Sequence, residues 1–334
     1  MNKKYKLAIV GATGLVGQTA LKVLEERNLP ISEYVLFASS RSKGKKITFM
    51  GKEHIVRELD EHSFDEGFDF AIFSCGGDNS KKYAPIAAEK GCIVVDNSSA
   101  FRMNKDVPLV VPEVNPEAIK LHHGIIANPN CSTIQAVVPL KPLEDKYGIK
   151  RIVYSTYQAV SGAGQKGVED LENGRNGSVE LKKFPHPIFN NCLPQIDVFL
   201  EDGYTKEEKK MIDETRKILN RPDLRITATT VRVPVINCHS ETINIEFEKD
   251  FELQELKQDL KDFPGIVVID EIESPSYPLA TNVNGHDEVF VGRVRRDDSI
   301  PYGINLWVVA DNIRKGAATN AVQIIETLMT MSGS

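Results

Sequence analysis

The segment Ala127-Asn128-Pro129-Asn130-Cys131-Ser132-Thr133 sets a cysteine where a polar turn enters a helical stretch. A thiol at a helix N-terminus has its pKa lowered by the helix dipole and nearby N–H donors, and its thiolate is a nucleophile near neutrality. Two later segments carry groups that could serve it. Ser155-Thr-Tyr-Gln158-Ala-Val-Ser161-Gly162-Ala-Gly164 is a strand that breaks into a Gly/Ser loop. Arg232-Val-Pro-Val-Ile-Asn-Cys238-His239-Ser240 places an arginine and a histidine on either side of a proline-containing break. With Cys131 as partner, His239 is a candidate general base. Alone it reads as a structural histidine, and Arg232 alone as a surface charge. Cys75, Cys92 and Cys192 lack such surroundings and read as inert buried thiols.

A second constellation opens the chain. A β-rich run ends in Gly11-Ala12-Thr13-Gly14-Leu15-Val16-Gly17 and passes into a helix. Glycines at this spacing allow a tight turn and bring backbone N–H groups against a pyrophosphate at the positive helix end. Its place in a βαβ unit favours dinucleotide binding over an unliganded βα turn. The second strand ends in Ala38-Ser39-Ser40-Arg41-Ser42-Lys43-Gly44. An acidic residue there would bind a ribose 2′-hydroxyl, whereas Arg41 with its flanking hydroxyls suits a 2′-phosphate, so NADP is expected rather than NAD.

The elements that must position these groups follow from periodicity. Up to residue 95, short β-rich runs (LAIV, YVLFA, AIFS, IVVD) alternate with helical stretches at 15–27 and near 83–90, the pattern of a doubly wound parallel sheet. Past a boundary near Asn130 the strands RITATTVRVPV, ETINIEFE, EVFVGRVRR and GINLWVVA are longer and more often alternate. They predict a mixed sheet packed by helices at 205–219 and 253–260, hence an α/β domain followed by an α+β domain. Residues 173–194, rich in Gly, Asn and Pro, read as a long irregular excursion of the kind that serves function or subunit contact. The C-terminal helix opens with the small residues Gly316, Ala317 and Ala318, which admit close approach of another backbone or a ligand.

The 334 residues are 41% hydrophobic and 26% charged, which excludes disordered, collagen-like and coiled-coil classes and argues for about two domains. The formal charge of −6, with no basic block, speaks against nucleic acid. Five scattered cysteines without a C-x-x-C pair give neither a disulfide framework nor a zinc site. The basic start and apolar run break at Gly11 without a cleavage motif, and the longest stretch free of Asp, Glu, Lys and Arg, 121–140, contains His, Asn, Pro and Ser. A cytoplasmic protein without a membrane span or bound metal is expected.

The segments GATGLVG, ASSRSKG, DNSSAFRM, VPLVVPEVN, NPNCSTIQ, TYQAVSGAG, PQID, EEKK, RVPVINCHSE and DNIRKGAATNAVQIIE run in order from residue 8 to residue 326. Together they resemble the bacterial aspartate-β-semialdehyde dehydrogenases. Cys238 departs from the family pattern, in which a glycine precedes the histidine. The resemblance implies reversible oxidation of L-aspartate 4-semialdehyde with NADP and phosphate to L-aspartyl 4-phosphate, on the branch toward lysine, threonine and methionine.

It implies Cys131 as nucleophile, His239 as the group that takes its proton, Gln158 as substrate orienter, and donors near Asn130 for the oxyanion. Arg232 would grip the α-carboxylate and Glu207 the ammonium; Arg102 and Lys210 would bind phosphate. Gly11, Thr13, Gly14, Leu15, Val16, Ser39, Arg41, Ser42, Ser161, Gly162 and Asn312 would contact the cofactor. The implied architecture is a Rossmann-like domain, residues 1–130, completed by the C-terminal helix 313–332, and a catalytic domain, 131–312, that also forms a homodimer. A reductase of an N-acetylated acyl phosphate shares the thiol and hydride logic, but would not call for a carboxylate opposite the amine. A silent NADP-binding regulator would need no nucleophile.

Overall fold

The computed structural model describes residues 4–333. Residues 1–3, the first of the basic start, and residue 334 lie outside the described residues. The chain divides into two compact units, one running through Asn130 and resumed from Ala317, the other Cys131–Gly316.

The first unit begins β1 (Tyr5–Val10), α1 (Leu15–Arg27) and β2 (Ile31–Ala38), then a hairpin of β3 (Lys46–Phe49) and β4 (Lys52–Ile55). It continues through β5 (Arg57–Glu58), β6 (Phe70–Phe73), α2 (Gly77–Glu89), β7 (Ile93–Asp96) and β8 (Ile125–Ala127). Its six-stranded sheet has the order β5-β2-β1-β6-β7-β8, every pair parallel. Parallel strands are covered on both faces, which is why β1 is a continuous apolar run. Leu7 and Ile9 pack with Leu24 of α1 and with Ile324 and Ile325 of the C-terminal helix Thr319–Gly333. Ala8 and Val10 pack on the other side with Phe37, Phe73, Ala84 and Ala87. The strand order reverses direction between β1 and β6, the place where doubly wound sheets open a ligand crevice. Helix α2 starts six residues earlier than the expected 83, with Gly76 at its N-cap position and Gly77 as its first residue.

The second unit opens with α3 (Cys131–Tyr147), β9 (Ile149–Gln158), α4 (Gln165–Arg175), α5 (Lys206–Ile218), β10 (Arg225–Arg232) and β11 (His239–Phe247). It closes with α6 (Leu253–Asp262), β12 (Ile266–Val268), α7 (Ala280–Val283), β13 (Val289–Asp297) and β14 (Gly303–Ala310). The sheet order is β10-β9-β11-β14-β13-β12, parallel at its two outer pairs and antiparallel within, the mixed sheet expected from the alternating strands. Helix α3 packs across its middle, α5 on β10 and α6 on β12. Along β11 burial alternates strictly, so His239, Glu241, Ile243, Ile245 and Phe247 face inward under α3. Helix α5 starts at a capping box in which Thr205 accepts from Glu208 N–H and the Glu208 carboxylate accepts from Thr205 N–H. The irregular excursion starts later than expected, since 173–175 still belong to α4.

Candidate active site

Cys131 is the first residue of α3 and is only half-buried. Its Sγ lies 3.2 Å from Nε2 of the fully buried His239. The other ring nitrogen, Nδ1, accepts the backbone N–H of Ala159 at 3.0 Å. An N–H donor on Nδ1 leaves the proton of the neutral ring on Nε2, so His239 presents a donor to the sulfur. Burial first, and the Arg232 guanidinium second, hold its pKa well below the ordinary histidine value and keep the ring neutral. Two glycines make the pair possible. A Cβ on Gly316 would stand 2.9 Å from Cβ of Cys131, and one on Gly162 would meet His239 Cε1 at 2.9 Å and Arg232 Nη1 at 3.0 Å. The small residue at 316 thus admits the cysteine itself.

The strand ends behind the pair carry the remaining polar groups. Buried Gln158 donates from Nε2 to Thr156 Oγ1 and to Glu207 Oε1, each at 3.2 Å. Glu207 Oε2 pairs with Lys210 Nζ at 3.2 Å, and the same ammonium reaches Asp197 at 2.9 Å. Burial pulls the pKa of Lys210 down, but the carboxylates of Glu207 and Asp197 outweigh it and hold the pKa above the usual lysine value. The i,i+3 spacing therefore marks one helical face, turned inward at Glu207 rather than a solvated surface stripe. Arg232 is buried, donates from Nη1 to Ala159 O at 2.7 Å, and lines a cavity of about 390 Å³ with Phe184, Gln195 and Asp197. Burial lowers its pKa, while Glu207 and Cys131 oppose that shift.

Ser161 and Asn312 are buried and hydrogen-bonded to each other at 3.1 Å, and Asn312 Oδ1 accepts the N–H of Cys238 at 2.9 Å. They brace the turn that delivers His239. Cys238 adopts φ +72°, the left-handed conformation that favours the glycine of the family pattern, and burial followed by Asp311 pushes its thiol up to about 12. Burial likewise pushes Cys75 to about 11 and Cys92 to about 12, whereas Cys192, expected to be buried, is exposed. Its place in an irregular segment rather than an apolar-periodic one is the reason.

In the first unit, Gly11 has φ +88°, and a Cβ there would lie 2.2 Å from Ser74 O; one on Gly17 would lie 2.2 Å from Gly11 O. Gly14 is the N-cap of α1 and caps no N–H with a side chain, and the first turn holds no acid. The turn is thus a narrow backbone cradle at a positive helix end, which fits a pyrophosphate, with Leu15 exposed and Val16 half-buried on that first turn. Thr13 Oγ1 donates to Ser42 Oγ at 3.4 Å, linking this turn to the one-turn helix Ser40–Ser42, which Ser39 precedes without a side-chain cap bond. Arg41 is exposed on that helix and makes no ion pair among the described residues. In sequence β2 runs from Ala38 into Ser39 without an acidic residue, while Glu58 of β5 is the strand partner of Ala38. Arg102 is buried, with Nε on Asn128 O at 2.9 Å and Nη2 on Asn97 O at 2.8 Å, so it ties together the loops after β7 and β8. Asn130, also buried, ends this unit next to Cys131.

Sequence reasoning missed Glu241. It is fully buried on the inward face of β11, two residues past His239, and both carboxylate oxygens lack a hydrogen-bond partner. The inward register of ETINIEFE marked the position, yet nothing local marks its chemistry. Among the described residues no cluster of three or more His, Cys, Asp or Glu side chains could hold a metal, and no helix is long and apolar enough to cross a membrane.

Two family models cover most of the chain: semialdehyde dehydrogenase, NAD binding domain, at residues 6–122, and semialdehyde dehydrogenase, dimerisation domain, at 140–315. An aspartate-semialdehyde dehydrogenase of Aquifex aeolicus is 58% identical over 333 residues, covering 97% of this chain and 98% of that relative. The crystal structure of aspartate semialdehyde dehydrogenase II complexed with ASA from Vibrio cholerae has a TM-score of 0.93 at 48% identity, over 98% of this chain and 99% of that one. That of the Candida albicans enzyme with NADP has a TM-score of 0.76 at 28% identity, over 98% of both chains. On this agreement of sequence, fold and site geometry, the chain belongs to the aspartate-semialdehyde dehydrogenase family.

Proposed function

We propose that the protein catalyses the reversible, phosphate-dependent oxidation of L-aspartate 4-semialdehyde to L-aspartyl 4-phosphate through a thioester on Cys131, with NADP as cofactor. The observation that carries this reading is the Cys131–His239 pair, set beside a buried Arg232, Gln158 and Glu207 in one unit. A bound nicotinamide supplies the hydride acceptor. The thiolate of Cys131, favoured by the helix end, the Arg232 charge and the Nε2–H of His239, adds to the aldehyde carbon. The oxyanion so formed takes hydrogen bonds from His239 Nε2–H and donors near Asn130. Loss of hydride from that adduct leaves the thioester, and attack by phosphate returns the thiolate. The sequence reading has His239 removing the thiol proton; the Ala159 N–H on Nδ1 supports a donor role throughout, in which the thiol proton leaves to solvent.

Arg232 donates to the α-carboxylate in the cavity, and Glu207, held by Gln158, faces the ammonium group, a pairing an N-acetylated substrate would not use. Lys210, kept cationic, and Arg102 are the phosphate-binding candidates. The glycine turn from Gly11 through Val16 is the pyrophosphate cradle, with Ser39, Arg41 and Ser42 toward the 2′-phosphate; Ser161, Gly162 and Asn312 complete the cofactor set. The open outer face of the mixed sheet, with Tyr157 exposed beside Trp307, supports a homodimer, and a cytoplasmic location is part of the same proposal. Absorbance of reduced nicotinamide tests the reading. Purified protein with aspartate semialdehyde and phosphate should reduce NADP faster than NAD at equal concentration, and turnover should stop when phosphate is omitted. Turnover that ignores phosphate would refute it.

A further inference from the structure

The excursion at 176–205 is irregular, yet it is fastened at two points beside Arg232. Leu193 exchanges both backbone hydrogen bonds with Arg232, at 2.9 and 2.8 Å, so the loop is pinned by an isolated antiparallel bridge to the last residue of β10. Asp170, buried on α4, accepts three successive backbone N–H groups: Lys182 on Oδ1 at 2.6 Å, and Lys183 and Phe184 on Oδ2, both at 2.9 Å. Hydrogen bonds to a charged acceptor are the strong kind, and three on one carboxylate fix the backbone of the turn. That turn delivers Phe184, whose ring centroid lies 5.8 Å from Cζ of Arg232 and which packs against Val160, Leu171, Ile188 and Leu193. Helix α4 leaves room for the ring through Gly167, where a Cβ would come within 3.1 Å of Phe184 Cζ.

A guanidinium covered on a face by an aromatic ring keeps its in-plane N–H edge for a planar acceptor. Arg232 has one of its N–H groups on Ala159 O, and the cavity it lines is walled by Lys183, Phe184, Pro185, Gln195 and Asp197. We infer that Asp170 is a positioning residue for substrate recognition, holding the turn 182–184 so that Phe184 orients Arg232 and closes the loop side of the cavity in which the substrate carboxylate binds. The inference rests on the proposed activity, because that activity supplies the carboxylate. Asp170 touches neither the thiol nor the carboxylate itself; it acts through Phe184.

The test is steady-state kinetics of the full-length protein with aspartate semialdehyde, comparing wild type with Asp170→Asn, Phe184→Leu and Phe184→Tyr. An amide at 170 has only one acceptor oxygen, so the three N–H bonds now divided between Oδ1 and Oδ2 cannot all be kept. The KM for aspartate semialdehyde should rise about ten-fold or more in Asp170→Asn and Phe184→Leu, with kcat within about three-fold of wild type and the NADP KM unchanged. Phe184→Tyr, which keeps the ring, should restore the wild-type KM. Phe184 is half-exposed, so its variants serve as the folded control should Asp170→Asn misfold. A wild-type KM in Phe184→Leu, or a loss confined to kcat, overturns the inference while wild-type turnover leaves the activity standing. A wild type that does not oxidise aspartate semialdehyde overturns both.

Discussion

The N–H of Ala159 donates to Nδ1 of His239 at 3.0 Å, and this single bond decides which ring nitrogen faces Cys131 with a proton. If His239 works as a donor to sulfur and oxyanion, a side chain that puts an N–H near Nε2 should do part of its work. His239→Gln is therefore expected to retain at least about ten times the kcat/KM of His239→Ala, which should fall by about 10²–10³-fold, the usual loss for one oxyanion donor. A general base has no such substitute. Equal activity in the two variants, with the acidic limb of the pH–rate profile abolished in both, would return His239 to the role of proton acceptor.

Gly316 and Cys131 meet across 2.9 Å once a Cβ is built on the glycine, and Cys131 Cα is only 3.3 Å away. Gly316→Ala should displace the nucleophile by a few tenths of an ångström or more. Because small misplacements of a reacting atom can lower rates about 10²-fold, kcat/KM should fall by roughly one to two orders of magnitude. Iodoacetamide alkylation of Cys131 should slow in parallel, while the fold melts cooperatively. Full activity would show that the helix start shifts at no consequence.

What the sequence reveals of this molecule divides along the range of the interactions. The glycine turn and α1 were legible to the residue, because a tight turn, a positive φ and a helix start are local. Helix α5 was legible to within one residue at each end, and its start is fixed by Thr205 and Glu208, which form a box within four residues. Inward positions of β11 were legible from alternation, but alternation does not say why one of them is a glutamate. The tautomer of His239 depends on an N–H eighty residues away, and the task of Asp170 on residues 12 to 14 positions further along an irregular segment. No periodicity encodes either. Arg102 was read as an anion ligand alone, yet it also bonds two main-chain carbonyls.

Glu241 makes stability depend on pH. Burial first, then the negative charge of Glu207, raise its carboxyl pKa well above the ordinary value. Tyr154 on β9 also interacts with it, its hydroxyl raised by burial with Glu241 as a minor cause, and His239 is the preceding inward residue of its own strand. Between the ordinary carboxylate pKa and the raised one, the folded chain holds a proton that the unfolded chain has lost. Stability is therefore full below the ordinary value and declines as pH rises toward the folded value, by at most about 1.4 kcal/mol per pH unit for one proton. Glu241→Gln mimics the protonated acid, so urea midpoints should be higher than wild type at neutral pH and flatter across pH 5–8. A variant with the wild-type slope would show that Glu241 is ionised and satisfied by water.

Phosphate separates the proposed reaction from simple aldehyde oxidation, and Lys210 offers the sharper probe of its binding. Arg102→Leu would strip hydrogen bonds from the carbonyls of Asn97 and Asn128 in a buried place and so mix destabilisation with lost affinity. Lys210 is paired with Glu207 and Asp197 through side chains only, and Lys210→Gln keeps an N–H donor toward them while removing the charge. The phosphate KM should rise about ten-fold, the loss of one charge-assisted contact. Thioester formation does not need phosphate, so rapid mixing of Lys210→Gln with aspartate semialdehyde and NADP should still give a burst of reduced cofactor near one equivalent. The thioester then persists until phosphate is added at high concentration. If the burst itself vanishes while the phosphate KM stays at its wild-type value, Lys210 acts by neutralising Glu207 for the substrate ammonium, and the phosphate must be held elsewhere.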